Sequence, residues 1–270
     1  MENHNSILAE NGNGAVSEQG RSALIFLGTG CSSALPNTMC LLQPSDPPCQ
    51  VCFPALSIPP NLNPNYRCNT SLLIDHCEGD GKHSYILIDV GKTFREQILR
   101  WFTFHKIPRV DSIILTHEHA DAVLGLDDIR AVQPYSATND IDPTPIFLSQ
   151  FAMESISTKF PYLVQKKLKE GQEVRRVAQL DWKIIEEDCD KPFVASGLKF
   201  VPLPITSVWV FSLVKNVELH IYLMSHAFLQ PQSMLFQKVG LDNWIFLSWI
   251  HYTRMAATIL TSASLRLLKL

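Results

Sequence analysis

The sequence lacks an excess of positive charge: 23 Lys and Arg stand against 26 Asp and Glu in 270 residues, a formal net charge of −3. No overall positive field is available to hold a phosphate backbone by counterion release, so charge gives no signal for nucleic acid. A long uninterrupted apolar run is also missing. Lys215 and Glu218 break the first apolar stretch of the C-terminal tail and His251 and Arg254 the second, so neither reaches the roughly 18 residues that a spanning helix needs. The first 24 residues hold Glu2, Glu10 and Glu18, three glycines and no apolar core. They read as neither a signal nor a transit peptide, and the expected compartment is the cytoplasm, with the nucleus as the alternative. Seven cysteines are an odd number without a secretory signal, which favours reduced thiols or metal ligands over a disulfide framework. Gly28 and Gly30 lack the third glycine of a dinucleotide fingerprint, because Ser33 holds that position.

What is present suits a globular protein with a sizeable core: 46% of the residues are hydrophobic. Residues 1–20 are rich in Asn, Gly, Ser and Glu and form a flexible lead-in. A short apolar strand over 22–27 enters Gly28-Thr29-Gly30. The Pro- and Cys-containing segment 31–68 is too irregular for helix and too long for an ordinary connection, so something other than a hydrophobic core holds it. Two apolar runs, 70–75 and 84–90, flank Gly79-Asp80-Gly81 and predict a hairpin. Helical spacing over 93–104 follows, with Thr93 as the N-cap candidate. A buried strand over 111–115 leads straight into Thr116-His117-Glu118-His119-Ala120-Asp121. Beyond it the pattern predicts helices over 124–132 and 151–169, the latter interrupted at Pro161, and strands over 145–148, 182–186, 193–196 and 198–203. At Pro204 the composition changes. Residues 205–270 contain one Gly, one Pro and seven charges, against 11 Gly, 16 Pro and 42 charges before them. With turn punctuation gone, the strand-and-loop rhythm is expected to stop there.

His117, His119 and Asp121 carry the chemistry. Imidazole and carboxylate both bind divalent metals, and a loop at a strand end lets several side chains converge on one ion. On an extended strand the two histidines project to one face. A second candidate is Cys49-Gln50-Val51-Cys52, whose spacing lets two thiolates chelate one zinc, with Cys40, Cys31 or Cys68 as a third ligand. Lys166, Lys167, Lys169, Arg175 and Arg176 form a basic run that reads either as a phosphate contact or as a solvated helical face.

From Leu27-Gly28-Thr29-Gly30 through Ile88-Asp89-Val90-Gly91 to Thr116–Asp121, the sequence resembles the metallo-β-lactamase superfamily. Within it the chain looks most like the phosphoribosyl cyclic phosphate phosphodiesterase branch, and more distantly the tRNA 3′-processing endonucleases. The resemblance implies an α/β fold, the αββα sandwich. It also implies one or two zinc ions, with manganese or iron as alternatives, and phosphodiester hydrolysis by a metal-activated hydroxide. His117 and His119 would hold the first ion, and Asp121 the second together with the nucleophilic water. Asp89 would orient His117 or the motif loop as a hydrogen-bond acceptor, and Cys40, Cys49 and Cys52 would hold a structural zinc. The sequence departs from the family at Ala122, where the widespread motif has another His, and after 198–203, where no ligand follows. His220, His226 and His251 lie in apolar surroundings and are not expected to replace it. The expected organisation is therefore a flexible 1–20, an N-terminal part of the sandwich over 21–204, and an atypical extension over 205–270 in place of the family's C-terminal half. The expected substrate is a small phosphate ester, and a homo-oligomer is compatible. The competing expectation is a catalytically impaired truncated isoform, and within enzymes the runner-up is a thioester hydrolase.

Overall fold

A computed structural model describes residues 22–60, 62–137, 140–164, 176–186, 188–205, 208–215, 217–223 and 244–247. The flexible lead-in expected over 1–20 lies outside them. Strands β1 (Ala23–Gly28), β2 (Ser71–Cys77) and β3 (His83–Ile88) pair antiparallel. β4 (Ser112–Ile114), β5 (Thr144–Leu148) and β6 (Leu180–Ile184) then add in parallel, so the six strands lie in sequence order. A second sheet contains β7 (Phe193–Ala195), β8 (Leu198–Ile205), β9 (Val208–Lys215), β10 (Val217–Leu223) and β11 (Trp244–Leu247), in the order β11-β10-β9-β8-β7. Ser196 and Gly197 join β7 to β8 with φ of 43° and 83°, the left-handed pair that a tight hairpin turn requires.

The central strands read as continuous apolar runs because both faces of the first sheet are covered. Successive side chains alternate: Leu73, Leu87, Ile113 and Leu148 enter one core with Phe94, Phe102, Val123, Leu126 and Ile156 from the helical side. Leu72, Ile74, Ile86, Ile88 and Ile114 face the other way, onto Ala195, Leu198 and Phe200 of the second sheet. Helices, sheet and sheet are thus three successive layers of a mixed α/β fold. Among the described residues no helix is long and apolar enough to cross a membrane.

The strand rhythm does not stop at Pro204. β8 runs on to Ile205, Pro204 pairs with Trp209 of β9, and β9 pairs in turn with β10. The scarcity of glycine and proline leaves long strands uninterrupted here rather than ending them.

The helices follow the predicted segments with three differences. The first is α1 (Thr38–Leu42), whose Asn37 cap starts a short helix inside the segment 31–68, where none is expected. Thr93 precedes α2 (Phe94–Gln97) without a side-chain cap bond, because its Oγ1 accepts the Asn69 N–H at 2.9 Å instead. The helix continues through a wide π turn over Ile98–Phe102 into α3 (Thr103–His105). The helix expected over 124–132 is instead α4 (Ala120–Val123) followed by a 3₁₀ turn over Leu126–Ala131. Gly125 N–H donates to Val90 O at 2.9 Å, which draws the chain toward the sheet at the point where the helix would have gone on.

Beyond β5 the chain enters α5 (Gln150–Lys159), and Pro161 opens the next helix, α6 (Pro161–Val164). Buried Ser149 caps α5 by accepting the Ala152 N–H at 3.1 Å. Ser149→Ala is expected to lower unfolding stability by about 1 kcal/mol, measured by chemical denaturation. An unchanged midpoint would show that solvent replaces the cap.

The insertion has little apolar core, as its composition suggests. Between residues 31 and 68 the only buried apolar side chains among the described residues are Cys52 and Cys68, while Met39, Leu42, Leu56 and Leu62 are exposed. Its anchors are α1 (Thr38–Leu42), capped by Asn37, the Leu35–Arg67 bridge at its base, and a cluster of thiols.

Candidate metal centre

The site forms where the parallel neighbours β3 and β4 both end. Asp89 follows β3 with φ of 60°, a left-handed conformation that Asp tolerates better than most residues. Its N–H donates to Ile114 O at 3.0 Å, and its own carbonyl accepts the Ser71 hydroxyl at 2.9 Å. That strained turn aims the carboxylate at the other strand end. Oδ1 accepts Thr116 N–H at 2.8 Å and Oδ2 accepts the Thr116 hydroxyl at 2.6 Å. Thr116 Oγ1 lies in turn 2.8 Å from His117 Nδ1. Asp89 therefore reaches His117 through Thr116 rather than directly.

His117 is 6% exposed, and its Nε2 has no hydrogen-bond partner. Asp121 Oδ1 is 3.6 Å away, an ion-pair distance too long for a hydrogen bond. His119 directly precedes α4, its ring edge-to-face with that of His117 at 4.9 Å between centroids. The strand ends before both histidines, so a loop rather than strand alternation brings them together. Asp121 sits in the first turn of α4. The ligating atoms of His117, His119 and Asp121 all lie within 4.8 Å of one another. Two imidazole nitrogens and a carboxylate are a donor set for a divalent ion, and the partnerless buried nitrogen at its centre is the feature that an ion would satisfy.

Burial pushes the Asp89 carboxyl up to about 6, against the opposing pull of His117 and the Thr116 hydrogen bonds. Burial acts to lower the His117 pKa, but the carboxylates of Asp121, Asp89 and Glu118 outweigh it and the imidazole is raised. Asp121 is lowered: His117 overcomes the effect of its burial. For Asp89 the folded value lies above the unfolded one. Its protonated form therefore favours folding, and that contribution is lost as the pH rises through about 6. The unfolding stability of metal-free wild type relative to Asp89→Asn is expected to fall by about 2 kcal/mol between pH 4 and pH 7. A difference that does not vary with pH would remove the buried-carboxylate account.

Sequence reasoning gave no role to several residues that fix this loop. Val90 N–H donates to Ala122 O at 2.7 Å, which holds α4 against the end of β3. Gly91 lies so close that a Cβ there would stand 1.9 Å from Asp121 O. Lys159 Nζ donates to Glu118 O at 2.6 Å and ties the motif loop to α5. The only sequence signals for these contacts are the glycine after Asp89 and the threonine before His117. Ala122 is fully buried in the helix-side core.

The thiols of Cys40, Cys49 and Cys52 also converge, with all three sulfurs within 4.8 Å. Cys31 and Cys68 stand apart. The Cys31 thiol is 2.8 Å from Ser33 Oγ, and burial pushes the Cys68 thiol up to about 12. Backbone N–H groups of Cys52 and Val51 lower the Cys49 pKa, whereas burial pushes Cys52 up to about 11. Of the basic run, Lys166, Lys167, Lys169 and Arg175 lie outside the described residues, as do His226 and His251. Arg176 stacks over the Tyr135 ring at 4.8 Å.

A double-sheet α/β fold with a His-x-His-x-Asp loop at the strand ends defines a class of metallohydrolase scaffold. Residues 84–213 match the family model described as the beta-lactamase superfamily domain. The solved structure of a diphosphatase from the PhnP family is similar, with 25% identity and a TM-score of 0.52, covering 74% of this chain and 65% of that one. Zn(2+)-bound PqqB from Methylobacterium extorquens is more distant, with 14% identity and a TM-score of 0.49 over 75% of this chain and 64% of that one. Over residues 84–213 the chain thus carries a domain of the metallo-β-lactamase superfamily. A curated relative, an octanoyltransferase of Porphyromonas gingivalis, is 31% identical over 181 residues. That is 67% of this chain but 30% of the relative, so the chain spans less than a third of that protein.

Proposed function

We propose that the chain is a metal-dependent hydrolase of a small phosphate ester, with cyclic phosphodiesters as the first class to test and zinc as the first metal. The observation that carries this reading is the buried, partnerless His117 Nε2 beside His119 and Asp121. The likeness to a diphosphatase supports phosphate over other esters. A divalent ion there would supply Lewis acidity and bring the pKa of its water from 15.7 to roughly 7. The chain's own residues supply the rest. His117, His119 and Asp121 would hold the ion, and Asp89 and Thr116 keep the His117 ring in place. Cys40, Cys49 and Cys52 hold a structural zinc that pins the insertion, which has little apolar core of its own.

The test is hydrolysis of a panel of cyclic phosphates, diphosphates and thioesters by zinc- or manganese-loaded protein, beside His119→Ala. Metal-dependent release of a phosphate product by wild type alone is expected. Turnover of thioesters only would overturn the substrate class.

A second reading, a chain that binds metal without turnover, is favoured by Ala122, which is committed to the core where the widespread motif carries a further histidine. A metal-loaded protein inactive on the whole panel would select it. The structural zinc has its own readout: Cys49→Ser should lower zinc content by about one ion per chain, and equal content in the variant would exclude a thiolate site.

A further inference from the structure

We infer that Thr116 is a positioning residue that fixes the tautomer of His117, directing the ring proton to Nδ1 and leaving the Nε2 lone pair free in the buried site. The inference rests on the reading of His117 as a ligand, and it follows from counting protons along one chain of contacts. The Thr116 hydroxyl carries a single proton. Its oxygen is 2.6 Å from Asp89 Oδ2 and 2.8 Å from His117 Nδ1. Asp89 is also fixed at its other oxygen by Thr116 N–H at 2.8 Å. An ionised carboxylate can only accept, so the hydroxyl proton goes to Asp89. The same oxygen must then accept from the ring, which places the ring proton on Nδ1.

Nothing else among the described contacts forces that choice. Asp121 Oδ1, 3.6 Å from Nε2, would favour the opposite tautomer, with the proton on Nε2 facing Asp121. Thr116 thus decides between a ring that can donate its Nε2 electron pair to a cation and a ring that is turned toward a carboxylate. The hydrogen bonds of Asp89 in this loop go to Thr116, so it acts on the ring through the hydroxyl.

Thr116→Val and Thr116→Ser separate this role from a structural one. Valine keeps the shape and the backbone N–H to Asp89, but removes the hydroxyl; serine restores it. Both are compared with wild type in metal-free, full-length protein at pH 8, labelled with 15N at histidine. Long-range 1H–15N correlation then assigns which nitrogen of His117 carries the proton. Wild type and Thr116→Ser should show Nδ1–H, and Thr116→Val should move the proton to Nε2 in most molecules. In a zinc competition titration Thr116→Val should bind roughly 10- to 100-fold more weakly, the range for removal of a group that supports a ligand, and Thr116→Ser close to wild type.

A wild-type ring protonated at Nε2 overturns the inference without reference to any variant, so it is exposed to test even if Thr116→Val does not fold. An unchanged Nδ1–H in folded Thr116→Val overturns it equally. A tautomer that moves as expected in a protein that binds no zinc supports the role of Thr116 and counts only against the metal reading.

Discussion

The double variant His117→Ala/His119→Ala is expected to lose the ion of the strand-end site and keep that of the cysteines. The two ligand groups are separate: one is built from β4 and α4, the other from the insertion between β1 and β2. Elemental analysis of purified protein should therefore give at least one metal ion more per chain in wild type than in the variant. The difference should also appear in stability. An ion at a concentration about 1,000 times its dissociation constant stabilises the folded state by about 4 kcal/mol, which for a chain of this size moves the melting temperature by roughly 10 °C. Wild type should show that rise on zinc addition and the variant a small remainder from the thiolates. Equal metal content in the two proteins would mean that the histidines hold none, and the hydrolase reading would fall with it.

Gly91→Ala should abolish the same site without touching a ligand. A Cβ at Gly91 would stand 1.9 Å from the Asp121 carbonyl oxygen and 2.7 Å from its carbon. Both are backbone atoms, so no rotamer change relieves the contact and α4 itself must move. Moving it breaks the Val90 N–H to Ala122 O bond and carries the Asp121 carboxylate away from His117. Overpacking together with a lost buried hydrogen bond should lower unfolding stability by about 2–4 kcal/mol. Zinc affinity should fall by about 100-fold or more, since the loss of one good ligand contact is worth several kcal/mol. Gly79→Ala is the control, because a Cβ there meets nothing within 4 Å. If Gly91→Ala retained wild-type zinc affinity, Asp121 would not be a ligand.

The metal motif was legible in the sequence because its parts are local. His117, His119 and Asp121 lie within five residues of one another, and the apolar strand before them announces where the loop begins. The apolar runs of β2 and β3 were legible for a related reason: a strand buried on both faces needs no partner's identity to be recognised. The C-terminal reading depended on punctuation, and there the signal misled. Composition changes at Pro204, yet β8 and β9 pair across it, because a lack of glycine and proline is as compatible with long strands as with the end of a fold.

By itself the sequence determined the metal motif, the order of strands up to β8, and which residue types could meet a cation, since each depends on neighbours a few positions apart. Only the tertiary structure decided how those residues are held. Asp89 and Thr116 are 27 positions apart and meet because β3 and β4 are parallel neighbours that end together. Among the alternatives for a third thiol, Cys40 joined Cys49 and Cys52 because the short α1 turns it toward them. The tightness at Gly91 is likewise a matter of how far α4 stands from the end of β3. Such distances come from packing two elements against each other, and no periodicity within either one encodes them.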